Sequence, residues 1–236
     1  MEYAHYKNFE LAFGEYSLKG DILGERLSSQ VLMLHGAGQS HRGKMAPLRQ
    51  ELLDAGIGSC AFDFIGHGET GGKLTSTSLA HRTKQASAII DFTKLNTEPL
   101  SIVAASMSAH TAVQLTRLYK VEHLVLIVPA MYATAAYKVS FGPDFTRIIS
   151  SKKSWRNSDG WDLLENFRGD LLVISAEKDK IIPNGVVRSY FDSAKRARSC
   201  RIYTVPNAGH MVFTELRQQN PAEMSKVRKM IIDTIL

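Results

Sequence analysis

The run Leu100-Ser101-Ile102-Val103-Ala104-Ala105-Ser106-Met107-Ser108-Ala109-His110-Thr111-Ala112 constrains this chain more than any other stretch. It opens with apolar and β-branched residues, the pattern of a parallel strand buried on both faces. It then passes through small residues around one serine. Beyond the serine, apolar residues recur at Ala109, Val113 and Leu118 among good helix formers. A strand that turns sharply into a helix with a serine at the corner is the nucleophile-elbow arrangement. Small neighbours are required because the two backbones nearly touch at such a turn. The usual pattern is G-x-S-x-G; here Ala104 and Ser108 stand at the glycine positions.

Apolar runs and helical periods alternate on both sides of this element. Phe9 to Phe13 and Ser17 to Leu23 read as strands of an opening antiparallel hairpin around Gly14-Glu15. Val31 to Leu34 is a buried strand that stops at His35-Gly36-Ala37-Gly38. A helix is expected from about Lys44 to Ala55, a strand from Ile57 to Phe64, and a helix from about Ser78 to Leu95. After the elbow, Leu124 to Val128 is a strand stopped by Pro129. Periodicity then fails from Ala130 to about Arg168, a segment holding Tyr132, Tyr137, Phe141, Phe145, Trp155 and Trp161. A stretch this long without period in a compact domain is usually functional. Leu171 to Ile174, a helix from about Asn184 to Lys195, the strand Arg201 to Val205 and a helix from Pro221 to Leu236 complete the chain.

This alternation is the signature of a mostly parallel sheet covered by helices on both faces. Right-handed crossovers place the loops after the strand carboxyl ends along one edge. Residues far apart in sequence thereby become candidates for one site. At 236 residues, residues 1–236 are expected to form one α/β domain.

Several function classes lose support. Cys60 and Cys200 are too few for a disulfide framework, and Cys60 ends an apolar run as a buried thiol does. No His, Cys, Asp or Glu grouping has metal-ligand spacing, and no G-x-G-x-x-G or P-loop implies a nucleotide, so no metal and no cofactor are expected. The net charge of +6 permits anionic ligands without naming one. Lys152-Lys153 with Arg156, and Lys195-Arg196 with Arg198 and Arg201, lack a helix-turn-helix or an aromatic platform, so nucleic acid is not expected and they read as solvated faces. Met1 to Glu10 lacks the apolar core of a leader, and no run reaches the roughly 18 apolar residues of a membrane span. A cytoplasmic protein is the default expectation. Nothing in the sequence sets an oligomeric state.

Serine is a poor nucleophile at neutral pH. It needs a base within hydrogen-bond reach, and the base needs a partner that fixes its tautomer. Loops after expected strands supply the candidates. Leu34-His35-Gly36-Ala37-Gly38 follows one strand and Asp63-Phe64-Ile65-Gly66-His67-Gly68 another. Ser175-Ala176-Glu177-Lys178-Asp179-Lys180-Ile181-Ile182-Pro183 and Asn207-Ala208-Gly209-His210 follow two more.

Taken together, these loops and the elbow resemble the α/β-hydrolase superfamily of serine hydrolases, from about Gln30 to the carboxyl terminus. The chain order Ser106, Asp179, His210 is the order of that layout. The resemblance implies that Ser106 attacks an acyl carbon, His210 moves the proton, and Asp179 orients the imidazole. It implies an oxyanion hole from the amides of Ala37 and Met107, the latter at a helix N-terminus. It also places Glu177 on the shoulder of its loop, leaving Asp179 as the acid. Beside it, His35 is expected to shape the loop after its strand through hydrogen bonds, Asp63 to hold its own loop with His67 structural, and His110, on the elbow helix, to be a packed or surface histidine. His41 and His81 sit in polar stretches and carry no such indication.

The same resemblance implies a cap inserted at about 130–168, its aromatic residues walling an acyl or aromatic pocket over Ser106. The Asp63 to Lys73 loop and the overall size are similar to small intracellular carboxylesterases, including cinnamoyl and feruloyl esterases and monoacylglycerol lipases. The elbow looks more like bacterial acyltransferases and thioesterases of bioluminescence. The expected activity is cleavage of a small-molecule carboxylic ester through an acyl-enzyme. Acyl-CoA or acyl-carrier thioesterase or acyltransferase activity, and a catalytically silent binding protein on the same fold, are the alternatives.

Overall fold

The computed structural model describes residues 6–24, 30–97 and 99–236, so part of the Met1 to Glu10 reading lies outside the described residues. The first strands, β1 (Tyr6–Phe13) and β2 (Tyr16–Leu23), form the expected antiparallel hairpin. Phe13 faces Tyr16 across a two-residue loop in which Gly14 takes φ 61°, a conformation glycine adopts without a Cβ clash. β2 pairs antiparallel with β4 (Gly58–Phe62). From there the sheet is parallel: β4 to β3 (Gln30–Leu34), then β5 (Leu100–Ala105), β6 (Val121–Ile127), β7 (Asp170–Ala176) and β8 (Ser199–Val205). The strand order is β1-β2-β4-β3-β5-β6-β7-β8, a single eight-stranded sheet with β5 near its middle.

The period of two along β5 divides the core. Ile102 and Ala104 join Leu32, Phe62 and Leu124 on one face, and Val103 joins Val31, Met33 and Val125 on the other. All of these side chains are fully buried. Each such aliphatic or aromatic side chain contributes about 1.5–3 kcal/mol relative to exposure. The first face is covered by α2 (Leu79–Thr93), α3 (Met107–Leu115) and α6 (Asn184–Ser193), through Ile89, Val113 and Tyr190. The second is covered by α1 (Ala46–Asp54), α7 (Val212–Gln219) and α8 (Pro221–Ile235), through Leu52, Leu216 and Ile231. Ser78 caps α2 by accepting from the His81 amide at 3.2 Å, and Asn220 caps α8, with Pro221 as its first residue.

The aperiodic segment contains two short helices, α4 (Pro143–Ile149) and α5 (Gly160–Asn166). Backbone bonds from Ala80 N to Tyr137 O (2.8 Å) and from Phe141 N to Thr77 O (2.9 Å) tie it to the start of α2. Its aromatic residues are used differently from the sequence expectation. Tyr132, Phe141 and Phe145 stack on one another and pack with Leu79 and Met107. Trp155 meets Trp161, which meets Tyr190 of α6. These rings fasten the segment to the helices beneath it.

The basic cluster at 195–201 is paired within the chain. Arg198 meets Asp170 and Glu122, Lys195 meets Glu165, and Arg201 donates to Thr234. Among the described residues no helix is long and apolar enough to cross a membrane.

Candidate active site

The site begins with the turn between β5 and α3. Ser106 holds φ 50° and ψ −116°, a conformation non-glycine residues rarely enter and which costs about 1–3 kcal/mol. Neighbouring backbone holds it there: Ser106 N donates to Ile127 O at 2.9 Å, and Ala130 N donates to Ser106 O at 3.1 Å. Val128, between those contacts, is itself at φ 43°, an outlier for a β-branched residue, and Val128 N donates to Ile174 O at 2.7 Å. The ends of β5, β6 and β7 thus fix the serine jointly.

Ser106 Oγ lies 3.0 Å from His210 Nε2, and His210 Nδ1 lies 2.8 Å from Asp179 Oδ2. The three residues expected from sequence are brought together, from loops up to 104 positions apart. Asp179 Oδ1 accepts from the amides of Ile181 (2.8 Å) and Ile182 (3.0 Å), which leaves Oδ2 for the imidazole. A donor bond to Asp179 puts the His210 proton on Nδ1 and makes Nε2 the acceptor for the serine hydroxyl. Glu177 is turned elsewhere and accepts from Asn207 N at 2.7 Å. Lys178 N donates to Ala208 O at 2.8 Å, so the loops of Asp179 and His210 brace each other. Glu215 of α7 accepts from Gly209 N at 2.6 Å. The sequence reading missed both α7 and this carboxylate; the apolar pair Val212 and Leu216, four residues apart, was the available sign.

The loop after β3 closes against the serine. A Cβ on Gly36 would lie 3.3 Å from Ser106 Cβ, so a side chain there crowds Ser106. Ala37 shares the cavity wall with Ser106. Met107 is the first residue of α3, where no carbonyl within the helix reaches its amide. His35 holds this loop from inside: its Nδ1 donates to Gly36 O at 2.8 Å and its Nε2 accepts from Phe64 N at 3.2 Å. Burial, reinforced by Arg82 and His67, holds the His35 pKa well below the ordinary imidazole value, so it stays neutral.

The loop after β4 is organised by Asp63. Its carboxylate accepts from Arg42 N (2.7 Å) and Glu69 N (3.0 Å) and pairs with the Arg42 guanidinium, while its carbonyl accepts from Thr70 Oγ1 (2.7 Å). Arg42 also pairs with Asp21 and Glu69. Gly68, at φ 47°, gives this carboxylate its space. His67 approaches Ile65 O (3.3 Å) and is buried. His110 is sealed in α3 against Met131, Tyr132 and Tyr137, and burial pushes its pKa down to about 4. Neither faces the cavity.

That cavity has a volume of about 380 Å³ and opens from Ser106 and His210 toward α1, α7 and α8. Its wall includes Met45, Leu48, Ile127, Val128, Val212 and Met224, and its charged side chains are Lys44 and Arg217. It lies on the second face of the sheet, away from the aromatic residues of the 130–168 segment.

A family model described as serine aminopeptidase, S33, matches residues 26–159. No curated protein matches the sequence. Solved structures do match in shape. An esterase from Pyrococcus furiosus is 19% identical with a TM-score of 0.74, the alignment covering 99% of this chain and 94% of that one. A monoacylglycerol lipase from Paleococcus ferrophilus is 20% identical with a TM-score of 0.68, covering 98% of both chains. Est1E from Butyrivibrio proteoclasticus, solved with ferulic acid bound, is 14% identical with a TM-score of 0.69, covering 94% and 99%. The family match spans more than half of the residues, and the likeness to these structures extends the fold over nearly all of them. The chain therefore belongs to the serine aminopeptidase S33 family of serine hydrolases, and its fold is that of the α/β-hydrolases.

Proposed function

We propose that this protein hydrolyses carboxylic esters or thioesters of small molecules through an acyl-enzyme on Ser106. The observation that carries this reading is the unbroken chain Ser106 Oγ, His210 Nε2, His210 Nδ1, Asp179 Oδ2, on an elbow whose serine faces a cavity. Ser106 Oγ attacks the acyl carbon as His210 takes its proton. The amides of Ala37 and Met107 receive the oxyanion, each donor contributing about 3–4 kcal/mol to the transition state. Collapse expels the alcohol or thiol, which leaves with the proton from His210. Water then repeats the sequence, with His210 as base, to release the acid. Asp179 holds the imidazole in its working tautomer and offsets its charge. The 130–168 segment is read as a cap that packs on Met107 beside the elbow.

The family description raises aminopeptidase activity as the competing reading. An aminopeptidase holds the free α-ammonium group of its substrate, which calls for a carboxylate or polar acceptors beside the nucleophile. The cavity wall contains no aspartate or glutamate; its neutral polar side chains Gln39, Ser40 and Thr214 offer no negative charge, and Lys44 and Arg217 are cations. That charge repels an ammonium and favours the ester reading. The structural neighbours named as esterase and monoacylglycerol lipase agree with it.

The test is hydrolysis of oxygen-ester and acyl-CoA series from acetyl to myristoyl, with a cinnamoyl ester and an aminoacyl anilide beside them. Wild type is expected to cleave esters or thioesters in preference to the anilide. Ser106→Ala is expected to lose at least about a thousandfold in kcat. A fluorophosphonate probe should label Ser106 and nothing else. Efficient cleavage of the anilide alone would favour the peptidase, and an unlabelled serine would favour a silent binding protein.

A further inference from the structure

The cavity at Ser106 is uneven in charge. Its interior is apolar and buried, built from Met45, Leu48, Ile127, Val128, Val212 and Met224. Its exposed side chains include Lys44, in the turn before α1, and Arg217, on α7. Neighbouring cations are neutralised: Arg42 by Asp21, Asp63 and Glu69, and Arg49 by Asp21. Lys44 and Arg217 form no ion pair within 4.0 Å with a described residue. Glu51 is near enough to feel Arg217, but its carboxylate pairs with Arg228. Two cations on separate walls of a pocket without carboxylates attract one kind of group.

We propose that the preferred substrate is an acyl ester or thioester with an anionic group, carboxylate or phosphate, held between Lys44 and Arg217 while its apolar part fills the interior. The proposal rests on Ser106 being the nucleophile. Two matched pairs test it at low ionic strength. p-Nitrophenyl butyrate against p-nitrophenyl hemiglutarate places the anion on the acyl side. S-butyryl-N-acetylcysteamine against butyryl-coenzyme A places it on the leaving group. In at least one pair the anionic member should have the higher kcat/KM, by about tenfold. That ratio should collapse toward one in Lys44→Glu/Arg217→Glu and with added salt. Active neutral esters with no anionic preference in either pair overturn this inference and leave the ester reading intact. Inert substrates together with an unlabelled Ser106 overturn both.

A separate observation lies beneath the loop after β3. Arg82 is fully buried, and among the described residues no carboxylate pairs with it. Its Nη2 donates to His35 O (3.0 Å) and Ser108 Oγ (2.7 Å) and approaches Gly36 O at 3.5 Å. Its Nε and Nη1 have no hydrogen-bond partner among the described residues, and its guanidinium lies 3.7 Å from the Phe64 ring centroid. Ser108, at a glycine position of the elbow pattern, donates to His35 O in turn. Leaving a cation buried without a counter-charge opposes folding. Gly36 O and Ala37 N belong to one peptide unit, so a cation at the oxygen withdraws electron density and strengthens the N–H as a donor.

The geometry points to Arg82 as a positioning residue that acts through the Gly36–Ala37 peptide on the oxyanion donor, with Ser108 as its brace. The readout is kcat and KM beside the affinity for a trifluoromethyl ketone, which forms the tetrahedral adduct. Arg82→Gln should lower kcat by about 10- to 100-fold, with KM little changed and ketone affinity falling in parallel. Arg82→Lys should recover part of both, and Ser108→Gly should show a smaller loss of the same kind. If Arg82→Gln fails to fold, the lysine and Ser108 variants carry the test. Unchanged kcat, or losses that do not track ketone affinity, overturn the assignment.

Discussion

Single residues here carry costs that only a site explains. Ser106 and Val128 both hold positive φ, and Arg82 is buried with no counter-ion among the described residues. The serine was legible from its small neighbours and the strand before it. Asp179 and His210 were legible from the loops that follow two later strands. Val128 and Arg82 were not: a positive φ leaves no trace in a β-branched run, and an arginine in an amphipathic helix reads as part of its wet face. Gly36 tests the crowding directly. Its Cβ would stand 3.3 Å from that of Ser106, so Gly36→Ala should leave the melting temperature nearly unchanged while kcat/KM falls by about 10- to 100-fold. Wild-type kinetics in that variant would show that the loop has room to retreat.

Among the elements, the strands were the easier part to read. Every one was expected; the interior strands β3 to β7 are apolar runs that are mostly buried and need little context, while the edge strands β1 and β8 are largely exposed or half-buried and were marked by the turn residues around them. Helices packed through one face were also legible, with ends displaced by a few residues: α2 was expected from about Ser78 to Leu95 and runs Leu79–Thr93. Three helices escaped. α4, α5 and α7 have seven, seven and eight residues, too short to establish a period. The cavity escaped with them, since α7 forms part of its wall. The loop after β4 makes its own prediction. A Cβ on Gly68 would meet Asp63 Oδ2 at 2.2 Å, at a φ of 47°. Gly68→Ala must therefore displace the carboxylate that holds Arg42, and should cost about 2 kcal/mol or more in urea unfolding. A loss under about half a kcal/mol would mean that the loop rearranges freely.

For the whole molecule, buried imidazoles couple stability to pH. Burial lowers the pKa of His35, His67, His110 and His123 below the ordinary value of 6.5. The unfolded chain then binds more protons than the native one below pH 6.5, so stability is full above that pH and declines as pH falls. For His110, a drop from 6.5 to about 4 corresponds to about 3 kcal/mol, lost progressively across that interval. Urea midpoints should fall between pH 7.5 and pH 5, and less steeply in His110→Leu. Identical slopes in the two proteins would remove His110 from the account. The sheet has a consequence of another kind. From β5 onward, order along the chain equals order across the sheet. During synthesis the strand before Ser106 emerges first, the loop of Asp179 two strands later, and His210 one strand after that. A nascent chain can extend the sheet by adding each new strand at the open edge, without inserting one between strands already paired. Ser106, His210 and Asp179 cannot meet until His210 has left the ribosome, so the cluster closes only after the last strand is in place.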